Sequence, residues 1–261
     1  MEHLAEKVIS IEDRIPKLRE KRKKRANRRL AFILFLFFLL MLSILYFQSP
    51  ISRLDGMDVK GNRYVDRSAI VRASGLTEKT IVLNIDEEKV EKRILSLPEI
   101  KKATVKTVLP NHVEIRVVEN ERVGHLRKDG KTYVLLENGE FTDPSGQAPL
   151  SLGPLLDQFD DPEIIEKAAR ELEQMPDEIR NAISEIIYSP SKTDPYRIIA
   201  FMNDGMEIHA TLKTFAEKME YYPSLIKQLE PGQKGIIDIQ VGMFFRSYES
   251  GNEEGGENDG S

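Results

Sequence analysis

Leu30 to Phe47, LAFILFLFFLLMLSILYF, is the one unbroken apolar run in a chain of 261 residues, and its reading organises everything on either side of it. As a helix rising about 1.5 Å per residue it reaches about 27 Å, close to the ~30 Å hydrocarbon core of a bilayer. The run therefore predicts one membrane span. Lys21, Arg22, Lys23, Lys24, Arg25, Arg28 and Arg29 precede it within two helical turns, so the positive-inside rule places the N-terminus in the cytoplasm and everything after Ser49 outside. A cleaved signal peptide would have a shorter apolar region, and Ile44 to Pro50 has no small-x-small cleavage site. A buried core helix would show a polar face somewhere along this length.

Charge follows the same division. Of 38 basic and 43 acidic residues, residues 1–29 hold 11 and 5, leaving 27 and 38 for the remainder. A basic stub thus precedes an acidic exported part. A cationic cluster touching a span is a topology signal attracted to anionic headgroups, which argues against nucleic acid as its partner. Cysteine is absent, which excludes disulfide staples, thiolate metal sites and thiol catalysis.

From Leu54 to Val118 the pattern reads strand, helix, helix, strand, strand. Leu54 to Val59 is a short strand ended by Gly61-Asn62. Asp66 caps a helix carrying Ala69, Ile70 and Ala73, and Gly75 stops it. Asp86 caps a second helix whose stripe is Val90, Ile94, Leu95 and Leu97. Ala103 to Thr107 and Val113 to Val117 alternate apolar with polar residues around a Pro110-Asn111 turn, a half-buried hairpin.

After Glu121 the character becomes β-rich. Strands are expected at Val123 to Arg127, Thr132 to Leu136 and Glu140 to Thr142, divided by Asp129-Gly130 and Asn138-Gly139 hairpin turns. Pro144 to Pro154 reads as a loop, and Asp160 or Asp161 caps a helix running to about Met175 with Pro162 in its first turn. Strands Ala182 to Tyr188, Tyr196 to Met202 and Met206 to Ala210 follow. Leu212, Phe215, Met219, Tyr222, Ile226 and Leu229 form one stripe of a long helix that Pro223 must kink or interrupt. Gly235 opens a last strand, Ile236 to Val241. The tail 249–261 lacks basic residues and cannot build a core, so disorder is expected there.

The fold class is α+β, divided as a cytoplasmic segment 1–29, a transmembrane helix 30–47, a module 51–119, a β domain 120–248 and the tail 249–261. No catalytic, cofactor or metal site is expected. His3, His112, His125 and His209 lie far apart in unrelated contexts, and no nucleophile elbow or phosphate-cradling glycine loop occurs. The acidic pairs Glu87/Glu88 and Asp160/Asp161 sit at helix starts, where capping accounts for them.

Val59-Lys60-Gly61-Asn62, Gly75-Leu76, Ile81 to Asp86, Leu97 to Val105 and Pro110 to Ile115 together resemble a POTRA domain. Leu135 to Phe141, the helix from Leu212 and the strand Gly235 to Val241 extend the likeness. In this order after a signal anchor, the segments resemble the FtsQ/DivIB family of bacterial cell-division proteins, and the acidic tail is similar to its DivIB branch. Leu109 stands where many members carry an aromatic. The resemblance implies a non-enzymatic scaffold at the division septum, anchored by a single pass in the cell membrane. It implies partners DivIC (FtsB-like), FtsL and the septal penicillin-binding protein. A translocation accessory would carry several such modules or a barrel, and a wall-modifying enzyme would need catalytic groups that do not appear. If the terminal strand lies at a sheet edge, a partner segment can add to it. The candidate contact residues are Ile236, Ile237, Asp238, Ile239, Gln240, Val241, Phe244, Phe245 and Tyr248, with Ile237, Ile239 and Val241 turned toward the domain.

Overall fold

The computed structural model describes residues 14–143 and 153–248, so the expectation for the tail 249–261 lies outside the described residues. Helix α1, Arg14–Gln48, carries the basic segment and the apolar run without a break. Its stretch Lys23–Gln48 is long and apolar enough to cross a membrane, containing an 18-residue window of mean hydropathy 2.8 that is not buried against the described chain.

The next elements are β1 (Gly56–Lys60), α2 (Arg67–Ser74), α3 (Glu87–Ile94), β2 (Ile100–Val108) and β3 (His112–Glu119), and the three strands form a sheet of order β1-β3-β2. The chain groups into two compact units whose division runs through this small sheet. One holds the residues up to Asp58 with Leu76–Glu87 and Val105–Ile115; the other holds Val59–Gly75, Glu88–Thr104 and everything from Arg116.

In the first unit, Leu54, Val82, Val105, Val113 and Ile115 are buried. The main chain after the span is tied down at three points. Arg53 bridges Ile81, Leu54 N–H donates to Thr80 O at 2.9 Å, and Asp55 N–H donates to Asn111 O at 2.9 Å.

In the second unit, Ile70 of α2 and the i,i+4 pair Val90 and Ile94 of α3 are buried together with Ile100, Ala103 and Val117. Gly75 ends α2 in the left-handed conformation expected of it, whereas the Asp66 carboxylate makes no capping bond. The Glu119 carboxylate accepts the N–H groups of Arg63, Tyr64 and Val65 at 2.8 to 3.1 Å, closing the loop that follows β1. Asn120, also buried, donates from its backbone to Glu99 O and from its amide to Pro98 O.

The same unit contains a nine-stranded sheet. Its strands are β4 (Arg122–Lys128), β5 (Lys131–Leu136), β6 (Phe141–Thr142), β7 (Leu155–Asp157), β8 (Ile183–Tyr188), β9 (Arg197–Met202), β10 (Glu207–Thr211), β11 (Gly235–Asp238) and β12 (Phe244–Ser247), in the order β12-β11-β10-β9-β8-β7-β4-β5-β6. Asp129 and Gly130 both take positive φ, so the β4-β5 turn is the two-residue type that Asp-Gly favours. β7 was not foreseen. Three residues are too few for an alternation to register, yet this strand sits in mid-sheet, parallel to both β4 and β8.

Helix α4, Pro162–Gln174, starts where expected. Asp161 accepts from Glu163 N–H at 2.9 Å, with Pro162 in the first turn. Its buried Ile165, Ala168, Ala169 and Leu172 recur at three- and four-residue steps, the spacing of a single core-facing stripe. They join one core with Leu126, Leu156, Ile198, Ala200, Ile208 and Ile237 from the sheet and Phe159 from the loop after β7. Truncating one of these aliphatic side chains to alanine costs about 2–5 kcal/mol.

Two polar side chains serve neighbouring helix ends. The buried Arg180 of α5, Asp177–Ala182, donates to Leu172 O near the end of α4 and pairs with Asp177 at 2.5 Å. Glu171 of α4 accepts the N–H of Ala216 at the start of α6, Phe215–Met219. The expected long helix from Leu212 is interrupted near Pro223 rather than kinked. It is two short helices, α6 and α7 (Tyr222–Ile226), and Pro223 stands in the first turn of the second, where its missing N–H costs nothing. Leu212, Phe215, Met219 and Tyr222 remain buried in spite of the break.

Candidate partner-binding edge

The terminal strand was expected to be the free edge of the sheet, and the structure corrects this. β11 lies between β10, to which it is parallel, and β12, to which it is antiparallel. A chain reversal after Asp238 brings a further strand back over the anticipated edge. The backbone of Ile236 to Asp238 is therefore committed on both sides.

The remaining candidate residues divide accordingly. Ile237 and Ile239 are buried in the core, as expected, but Val241 is 94% exposed and lies beyond the strand. Asp238 holds the reversal, accepting from Gln240 N–H at 2.9 Å and from the Gln240 side chain at 3.2 Å. Lys218 of α6 donates to Ile239 O and Gln240 O at 2.5 and 2.9 Å. These bonds make residues 239–240 a clamped bend, and the exposed Val241 and Met243 follow it. Gly235 is required by the closing strand, since a Cβ there would stand 2.2 Å from Arg246 O.

β12 is the outermost strand, and its register fixes what it presents. Tyr248 N–H donates to Lys234 O, so 234/248, 236/246 and 238/244 are the hydrogen-bonded pairs of the β11-β12 ladder. The main-chain groups of the alternate residues, Phe245 and Ser247, consequently point away from β11. Side chains alternate the other way. Phe245 packs against the core, whereas Phe244 is 68% exposed and Arg246 is exposed beside it.

Tyr248 is pinned at the strand end. Its hydroxyl donates to Glu207 Oε2 at 3.0 Å, and Glu207 Oε1 lies 2.6 Å from His209 Nε2. Burial, followed by the bond to Glu207, raises the Tyr248 hydroxyl above its usual pKa. Sequence reasoning found Phe244, Phe245 and Tyr248 without finding the strand that carries them. Their apolar-aromatic spacing around Arg246 was the available signal.

The basic residues behave differently. Lys23, Lys24, Arg25, Arg28 and Arg29 are exposed along α1, and Lys21 and Arg22 fall on the same helix. Among the described residues no group of three or more His, Asp or Glu is placed to hold a metal ion.

The described chain thus combines one N-terminal apolar helix, a β-α-α-β-β module and a β-rich domain with an aromatic outer strand. Residues 52–120 match the FtsQ-type POTRA domain, and residues 124–240 match the C-terminal domain of cell division protein FtsQ/DivIB. Cell division protein DivIB of Listeria monocytogenes is 40% identical over 249 residues, covering 95% of this chain and 92% of that one. DivIB of Bacillus subtilis is 38% identical over 244 residues, covering 93% and 92%. The solved major extracytoplasmic domain of DivIB from Geobacillus stearothermophilus, in its trans isomer, is 31% identical, with a TM-score of 0.37, 43% of this chain covered and 98% of that one. The chain belongs to the FtsQ/DivIB family of bacterial cell-division proteins.

Proposed function

We propose that this chain is a membrane-anchored, non-enzymatic scaffold of the division machinery, crossing the cell membrane once with its N-terminus in the cytoplasm and acting at the septum. It binds DivIC (FtsB-like) and FtsL partners and through them regulates the septal penicillin-binding protein. The observation that carries this reading is β12, an outermost strand whose Phe245 main chain faces outward and whose Phe244 ring is largely in solvent. A partner segment adding beside it gains backbone hydrogen bonds from the edge and apolar contact from Phe244, Met243 and Val241. Sharing a membrane raises the effective concentration of the partners, so a modest intrinsic affinity suffices.

The test places a photo-crosslinking residue at Ser247 in β12 and, separately, at Thr142 in β6, the opposite end of the sheet order, in full-length chain co-reconstituted with DivIC-like and FtsL-like proteins. Crosslinks from Ser247 to the DivIC-like partner are expected. Crosslinks from Thr142 alone, or from neither position, overturn the edge as the partner site. Topology is tested separately by a reporter active only outside the cytoplasm, fused after Ser247 or at residue 2; activity from the second fusion alone reverses the orientation.

A further inference from the structure

Outside α1 itself, four large apolar side chains are exposed among the described residues of the unit that contains it: Ile51, Leu83, Val108 and Leu109, ranging from 47% for Val108 to 63% for Leu109. They are distant in sequence, yet the three main-chain ties join the segments that carry them. Leu83 is two residues from Ile81, which bridges Arg53, and Leu109 is two residues from Asn111, which accepts from Asp55. Ile51 lies two residues before Arg53. A hollow lined by Ile51, Leu54 and Asn111 together with the charged Arg53, Asp55 and Glu78 opens at the same end.

This end is joined closely to the apolar helix. The 3-10 turn Pro50–Ser52 follows α1 almost directly, and the buried Ser52 hydroxyl bonds Phe47 O at 3.3 Å and Ser49 O at 2.9 Å. At about 2 Å per residue in such a turn, Ile51 stands only about 6 Å beyond Gln48. The polar zone of one leaflet is itself about 5–7 Å deep. Charge at this end is mixed, with Arg53 and Lys79 exposed beside Asp55 and Glu78, so attraction to anionic headgroups has little net cation to act on.

We infer, given the reading of α1 as a membrane span, that Ile51, Leu83, Val108 and Leu109 form a lipid-contacting surface that seats the POTRA-type module in the outer interface of the bilayer. The occupant is the headgroup-acyl boundary of the lipid itself. Apolar side chains are favoured there irrespective of headgroup charge. The seat fixes how the first extracellular residues leave the membrane, a constraint that the helix alone does not impose.

The chain has no cysteine, so Leu83→Cys and Leu109→Cys each give one labelling site at an exposed position. The full-length variants, labelled with an environment-sensitive fluorophore, are reconstituted into vesicles of brominated phosphatidylcholine, with circular dichroism to check the fold. Each label is expected to lose emission to the brominated lipid, to resist aqueous iodide, and to respond equally when anionic lipid is added. Leu40→Cys, inside the apolar run, separates the two levels of the reading. If Leu40 is quenched while Leu83 and Leu109 are quenched only by iodide, the span stands and the seat is overturned. If Leu40 is not quenched by the brominated lipid, the span fails and the seat with it.

Discussion

Phe244→Ala isolates the contribution of the outer strand to partner binding. Phe244 is 68% exposed and Phe245 packs on the core, so only the first can be removed without touching the fold. A phenylalanine offers roughly 200 Å², of which about two-thirds is open here, and at about 25 cal/mol per Å² its burial by a partner is worth at most about 3 kcal/mol. Side-chain ordering and imperfect packing reduce this, and a loss of about 2 kcal/mol is expected, or roughly thirtyfold in Kd. Folding stability should move by less than about 0.5 kcal/mol, as for an exposed substitution. Calorimetric titration of the reconstituted variant with a DivIC-like ectodomain, alongside urea unfolding, reads both quantities. Phe245→Ala is the contrasting variant, since it must lower stability. Unchanged affinity in Phe244→Ala with the fold intact would refute the edge as the binding surface, because no other exposed ring projects from β12.

Three further outcomes concern the fold. Tyr222→Phe removes a hydroxyl that donates to Asp204 Oδ2 at 2.6 Å; burial and that bond push the Tyr222 pKa far upward, so it remains a donor at any ordinary pH, and urea unfolding should show a loss of about 1.5–3 kcal/mol. His125 is 5% exposed, its Nε2 has no partner, and burial lowers its pKa. The unfolded chain therefore binds this proton first, near pH 6.5, and stability falls as pH drops below about 6.5 toward the lowered folded value; melting curves of His125→Gln should show a shallower acid slope than the parent. Gly124→Ala brings a Cβ to 2.7 Å from Pro154 O, whereas at Gly130, φ +73°, nothing lies within 4 Å. The second change should cost only the left-handed penalty of about 1–2 kcal/mol, and the first should cost more and broaden the thermal transition.

Much of the fold is legible because local chemistry dictates it. Asp129-Gly130 specifies its turn, Asp161-Pro162 specifies the start of α4, and Gly75 ends α2. What escaped the sequence is either too short or decided at a distance. β7 has three residues, and α5 has six with a buried arginine among them, so neither yields a period. The break between α6 and α7 was anticipated as a kink or an interruption without a choice between them, since Pro223 can start a helix as readily as bend one. The outer strand was hidden most deeply. The local Asp238-Gln240 bonds do not by themselves distinguish a strand that runs to Val241 from one that turns back, because the bend is also held by Lys218, a residue of α6 that reaches the carbonyls of Ile239 and Gln240. The aromatic residues of the candidate site were visible, but their edge was not.

β7 also bears on how the large sheet is assembled. On one side of it, β4, β5 and β6 form an antiparallel meander; on the other, β8, β9 and β10 form a second. Each can zip from its own turns between neighbours in the chain. The join between them consists of two residue pairs from β4 to β7 and three from β7 to β8, each linking positions about thirty residues apart. Closing such loops costs entropy before any ladder offsets it, and contacts of long sequence separation form slowly. The two meanders should therefore condense first as separate nuclei and dock through Leu156 afterwards, so that the middle of the finished sheet, like the parallel join of β10 to β11 with its 29-residue separation from Glu207 to Ile236, closes late in folding.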